Sequence, residues 1–156
     1  MAETLKIPRR EAKGIIEAYF HEFPDLKAYQ TGLVEQARAN GYVETILGRK
    51  RWLPDITSAN AVVRGFAERN AVNAPIQGSA ADIIKVAMVR IHDALKQGGY
   101  ITRMILQVHD ELVFDVPKDE VEAVSALVKE HMEQAVELAV PLEVEVQTGA
   151  DWLEAH

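Results

Sequence analysis

No cysteine occurs among the 156 residues. That excludes disulfides, thiolate nucleophiles and cysteine-held metals, and it suits a reducing cytoplasm. No apolar run approaches the ~20 residues of a membrane span, so no membrane partner is expected. Residues 1–15 are polar and charged, which argues against a secretory signal. The nucleotide-cradling patterns GxxxxGK[ST] and GxGxxG are missing, as are HExxH and GxSxG, so none of the chemistries those motifs carry is indicated. There is no internal repeat, low-complexity tract or evident linker.

What is present is ordinary for a folded domain. The chain is 48% apolar and 26% charged, and its length is enough for one domain with a real core. The net charge of −7 argues against a nucleic-acid partner when taken whole. It is unevenly spread, however. Residues 1–111 hold 15 Lys and Arg against 13 Asp and Glu, a net of +2, whereas residues 112–156 hold 2 against 11, a net of −9. A polyanion could therefore meet a local basic surface in the first two thirds.

The spacing predicts helices over 8–23, with Ile15, Ile16, Tyr19, Phe20 and Phe23 on one apolar face, and from Asp25 to about Ala39, with Leu26, Tyr29 and Leu33 inward. Pro24 separates the two, and Asn40-Gly41 stops the second. Short strands are expected at Tyr42–Leu47 and Lys50–Leu53. A helix from Ala61 to about Asn73 should break or kink at Pro75, and another should run from near Ile76 to Gln97. Two apolar runs, Ile101–Val108 and Leu112–Val116, read as a buried hairpin with His109-Asp110-Glu111 at its tip. An amphipathic helix follows over Lys118–Leu138. A one-face-buried strand is expected at Leu142–Gln147. The fold class is α+β, an antiparallel hairpin and an edge strand packed against long helices, with a mostly helical N-terminal part.

Asp110 and Glu111 are the first candidates for chemistry. Adjacent acids held at a strand end repel each other, and a divalent cation such as Mg²⁺ reverses that cost because it takes hard oxygen ligands. A solvated acidic turn fits the same pattern. One carboxylate pair does not complete a two-metal site, and Glu68, Asp82 and Asp115 are further acids that spacing does not select. His109 could act as acid–base, ligand or hydrogen-bond donor. Arg69, Asn73 and Gln77 recur every four residues and would line one helical stripe. Donors there could reach the acceptors that every base pair shows in a DNA minor groove, or simply face solvent. Arg49-Lys50-Arg51, with Arg64 and Lys85, could touch phosphates.

At these residues the chain resembles a known family. LQVHDELVFDVP is similar to the third conserved motif of family A DNA polymerases, and AERNAVNAPIQGSAADIIKVAM to the stretch before it. GYVETILGRKRWLPDITSAN and GADWLEAH resemble bacterial members of the same family, so the likeness covers essentially the whole chain. It implies a DNA-directed DNA polymerase of replication and repair. Residues 1–60 would be the remainder of a fingers subdomain and 61–156 a palm portion, together part of one polymerase domain. Asp110 would hold catalytic Mg²⁺, with Glu111 as an auxiliary carboxylate. His109 would lie near the primer terminus, and Arg69, Asn73 and Gln77 would face the primer–template.

Two features of the family have no counterpart here: an upstream metal-binding aspartate in a motif like DYSQIELR, and a helix of the form RxxxKxxxFGxxYG that grips the triphosphate. The expected partners are therefore primer–template DNA, deoxynucleoside triphosphates and the missing N-terminal part of a polymerase. The chain is expected to be inactive alone and less stable than the parent, and Met1-Ala-Glu to continue a segment just after the missing helix. The alternatives are a non-catalytic duplex-DNA-binding module, or a small metal-dependent hydrolase built on His109, Asp110 and Glu111.

Overall fold

In the computed structural model residues 6–155 are described; the reading of Met1-Ala-Glu lies outside them. The order is α1 (Arg9–Glu22), α2 (Pro24–Asn40), β1 (Tyr42–Glu44), β2 (Lys50–Trp52), a 3₁₀ turn at Pro54–Thr57, α3 (Ala61–Gly98), β3 (Arg103–Val108), β4 (Glu111–Asp115) and α4 (Val121–Glu133). Helices and two small antiparallel sheets make this an α+β chain. Among the described residues no helix is long and apolar enough to cross a membrane. The chain divides into two compact units, 1–76 and 77–156.

In the first unit, Pro24 opens α2 at its first position, where its missing N–H costs nothing. Gly41 closes the helix in the left-handed region, φ 79°, and its N–H donates to the Ala37 carbonyl at 2.8 Å. The chain then turns into the β1–β2 hairpin, registered Tyr42↔Trp52, Val43↔Arg51 and Glu44↔Lys50. Asn60 starts α3, its Oδ1 accepting from the Val62 N–H at 2.9 Å. The core is small and built of Ala37, Val43, Leu53, Ile56, Ala67 and Ala71. The apolar face expected on α1 forms but is largely uncovered, and the inward placing of Tyr29 on α2 is corrected. Ile15, Ile16, Tyr19 and Phe23 are exposed, with Phe20 half-buried, and on α2 Tyr29 is exposed as well. Among the described residues of α1 only Ala12 reaches a buried position, and that helix packs mainly on α2.

The expected break at Pro75 does not occur; α3 is one helix with Pro75 inside it. Proline removes one intrahelical bond and strains the preceding turn, but Pro75 is itself buried, and packing offsets that local cost.

In the second unit, Ala87, Ile91 and Leu95 of α3 meet Val124 and Val128 of α4 and Ala135 just past it. Tyr100, Met104, Leu112 and Phe114 pack against this cluster, so one face of the β3–β4 hairpin is covered. The hairpin pairs Met104↔Phe114, Leu106↔Val113 and Val108↔Glu111, with an irregularity between Met104 and Leu106. It is not buried on both faces, as its apolar runs suggested, because Ile105 and Leu106 are exposed.

Helix α4 ends at Glu133, short of the expected Leu138. The strand expected at Leu142–Gln147 is absent from the described residues. Leu142 and Val144 are half-buried beside exposed Glu143 and Glu145, so the alternation survives there but not at exposed Val146. A strand also needs a neighbouring backbone edge to bond with, and among the described residues none pairs with it: the Val144 N–H instead donates to the Glu133 carboxylate at 3.3 Å.

Candidate functional site

His109 and Asp110 form a two-residue turn, tighter than the three-residue tip expected, and Glu111 is already the first residue of β4, opposite Val108. His109 carries φ 53°. That is left-handed backbone at a non-glycine residue, a costly conformation held by its surroundings. The Gln107 side-chain amide donates to the His109 carbonyl at 2.5 Å and braces the turn. Asp110 and His109 are exposed and Glu111 is half-buried.

The start of β3 is anchored by a residue that sequence reasoning passed over. Glu120 accepts from the Ile101 N–H at 2.8 Å, the Thr102 N–H at 2.9 Å and the Thr102 hydroxyl at 2.6 Å. These bonds hold its carboxyl below the usual glutamate range, the Ile101 amide contributing most and the Thr102 hydroxyl next. Its place ahead of α4 signals only an acid at a helix start; its partners lie 18 and 19 residues upstream and share no local pattern with it.

The other candidates distribute as follows. Arg69 and Asn73 are exposed on α3 in the first unit, and the Arg69 guanidinium sits 5.8 Å from the Phe66 ring centroid. Gln77 is exposed and belongs to the second unit with His109, Asp110 and Glu111. Of the further acids, Glu68 is engaged by Arg38 at 2.6 Å, Asp82 is buried, and Asp115 stands opposite Arg103 in the strand register. Among the described residues no three His, Asp or Glu side chains gather into a group that could hold a metal ion. The hairpin thus presents carboxylates without completing a metal centre. Elsewhere, Lys50 lies over the Tyr42 ring at 4.3 Å from its centroid. The Tyr42 hydroxyl first, and the Glu44 carboxylate less, raise its ammonium above the ordinary lysine range.

Comparison with known proteins identifies the family. Residues 1–154 match the model of DNA polymerase family A. The chain is 53% identical over 155 residues to DNA polymerase I of Streptococcus pneumoniae and 52% identical over 155 residues to DNA polymerase I of Bacillus caldotenax, each alignment covering 99% of this chain. It spans 18% of the length of these relatives. A solved structure described as the POL domain of Pol1 from M. smegmatis in complex with DNA primer-template and dNTP superposes with a TM-score of 0.96 at 51% identity, over 99% of this chain and 27% of that one. The chain belongs to DNA polymerase family A.

Proposed function

We propose that this chain is a portion of the polymerase domain of a DNA-directed DNA polymerase acting in replication and repair. The observation that carries the reading is the family match over residues 1–154. The placement of Asp110 at the tip of a braced hairpin supports it. In the reaction, the 3′-oxygen of a primer attacks the α-phosphate of a deoxynucleoside triphosphate and pyrophosphate leaves. The partners are primer–template DNA and deoxynucleoside triphosphates, the ligands printed for the M. smegmatis structure. Residues 1–60 belong to the fingers side and 61–156 to the palm.

Each residue then has a role that its chemistry allows. Asp110 offers an exposed carboxylate to a divalent metal, generally Mg²⁺, and Glu111 supports it from the first position of β4. A bound metal of this kind neutralises charge developing on the attacking and leaving oxygens. The residues described here do not assemble that centre themselves. The second carboxylate and the groups that grip the triphosphate come, in this reading, from polypeptide N-terminal to the segment. Arg69 and Gln77 donate to minor-groove acceptors, Asn73 supports that surface, and His109 lies towards the primer end. A cytoplasmic location follows from the template.

The test replaces the corresponding 155 residues of the S. pneumoniae relative by this chain. The chimera is expected to extend a primer with Mg²⁺ and four nucleotides, whereas the chain alone does not. Asp110→Asn in the chimera lowers the rate by about 10²-fold or more, the scale of losing one preorganised electrostatic contact. A folded chimera that binds primer–template without extending it, or an Asp110→Asn chimera that extends at the parental rate, would sink the proposal.

A further inference from the structure

We propose that Glu120 is a positioning residue for the polymerase reaction: its carboxylate, bonded to Ile101 and Thr102, fixes the register of the β3–β4 hairpin and with it the place of Asp110 at the tip. The inference rests on the polymerase reading of Asp110 and adds to it a residue that lies beyond β4.

Strand β3 has little to hold its register by itself. Of its residues only Met104 packs against the core of the second unit, and Arg103, Ile105, Leu106 and Gln107 are exposed. The ladder is also interrupted. Met104 pairs with Phe114 and Leu106 with Val113, so Ile105 is passed over. An extra residue of this kind locally disrupts the pairing of its strand, and it lies between the base of the hairpin and its tip. At the tip the Gln107 side chain holds the His109 carbonyl. That bond ties the turn to β3, but it does not tie β3 to the rest of the unit.

Glu120 supplies the second tie. Its N–H donates to the Pro117 carbonyl and its carbonyl accepts from the Val124 N–H, both at 2.9 Å. Val124 is buried in the core cluster, so the backbone of Glu120 is fixed to the core through α4. The carboxylate then reaches back to the residues that lead into β3, accepting from the Ile101 N–H, the Thr102 N–H and the Thr102 hydroxyl. Thr102 is buried, and a buried donor that loses its acceptor is costly. Bonds to an ionised acceptor are the stronger kind. With both ends of the hairpin held, β3 cannot slide along β4. A slip of one residue would carry the turn about 3.3 Å along the strand and exchange the faces of its side chains. A group that must meet reactants to within about 0.5 Å does not tolerate that displacement.

The test uses the chimera in which this chain replaces its counterpart in the S. pneumoniae relative. Glu120→Ala is expected to lower kcat roughly 10- to 100-fold, the scale of a small misplacement of a reacting group, and to leave the nucleotide KM unchanged. It raises the Mg²⁺ concentration that half-saturates the rate. Glu120→Gln keeps an acceptor oxygen and recovers most of the rate. Without metal or DNA, amide exchange at Gln107 and Val108 is faster in Glu120→Ala than in the parent, although both lie at the far end of β3 from the tie. Glu122→Ala removes an exposed charge two positions away and matches the parent in every readout.

The proposal is overturned if Glu120→Ala extends at the parental rate, if its activity falls with the half-saturating Mg²⁺ unchanged, or if faster exchange is confined to Ile101, Thr102 and Arg103. A variant that is only partly unfolded gives the second result, because fewer active molecules lower the rate without moving the midpoint. An equal loss in Glu122→Ala overturns it as well. Should Glu120→Ala fail to fold, Glu120→Asp, one methylene shorter with the charge kept, is read in the same way. A parent chimera that folds but does not extend a primer refutes the polymerase reading; exchange at Gln107 and Val108 still decides whether Glu120 sets the register.

Discussion

Ile91→Ala is the most direct probe of the core that supports the Asp110 hairpin. Ile91 is fully buried at 0% exposure and sits among Ala87, Leu95, Val124 and Val128. The substitution removes three carbons. At ~0.8 kcal/mol per buried methylene the transfer loss is about 2.4 kcal/mol, and the unfilled cavity carries the total into the ~2–5 kcal/mol range. A unit of this size has a total stability of order 4–12 kcal/mol, so the change removes a large fraction of it. With a urea slope of about 1–2 kcal/mol per molar, the unfolding midpoint should fall by about 1–5 M when followed through the near-ultraviolet signal of Tyr100, which packs on the same cluster. Val89→Ala is the internal control. It lies on the same helix but is 63% exposed, and should shift stability by no more than ~0.5 kcal/mol. An Ile91→Ala protein within 1 kcal/mol of the parent, or a Val89→Ala loss of equal size, would refute this account of the core.

Two further outcomes follow from the same unit. The Glu120 carboxyl titrates lower when folded than when unfolded, so its contribution is fully present above the unfolded value of about pH 4.3 and is lost as pH falls through the lower folded value. Amide exchange at Ile101 and Thr102 should therefore accelerate below that pH in the parent, and a Glu120→Gln protein showing the same acid dependence would exclude the carboxylate as its cause. At the turn, His109→Gly should leave the hairpin intact, whereas His109→Val should cost about 1–2 kcal/mol, since a β-branched residue tolerates the left-handed region poorly. Protection of the β3 amides measures both, and equal effects would show that the backbone conformation is not what constrains this site.

Much of the local architecture could be read directly from residue types. Asn40-Gly41 marked the end of α2 because only glycine takes φ 79° without a steric penalty. Short apolar runs rich in Val, Ile, Leu and Phe marked β3 and β4, and the α4 stripe of Val124 and Val128 is buried as its spacing implied. The failures have equally local causes. Pro75 carries a break signal, yet one helix runs through it with Pro75 itself buried. Leu142–Gln147 has strand periodicity but no edge to join among the described residues. The apolar face of α1 has period 3.6 but little to pack against among the described residues. Periodicity states which side chains require burial; it does not supply the surface that buries them.

The candidate site divides along the same line. Chain order alone places His109, Asp110 and Glu111 together at one turn, and the motifs around them placed the chain in its family. Tertiary structure decided the rest: the two-residue turn with His109 left-handed, the Gln107 brace and the Glu120 anchor across 18 residues. Motif and spacing are encoded in consecutive residues, so sequence suffices for them. Exposure, backbone strain and long-range hydrogen bonds depend on which distant groups fold against one another, and only the folded chain settles that.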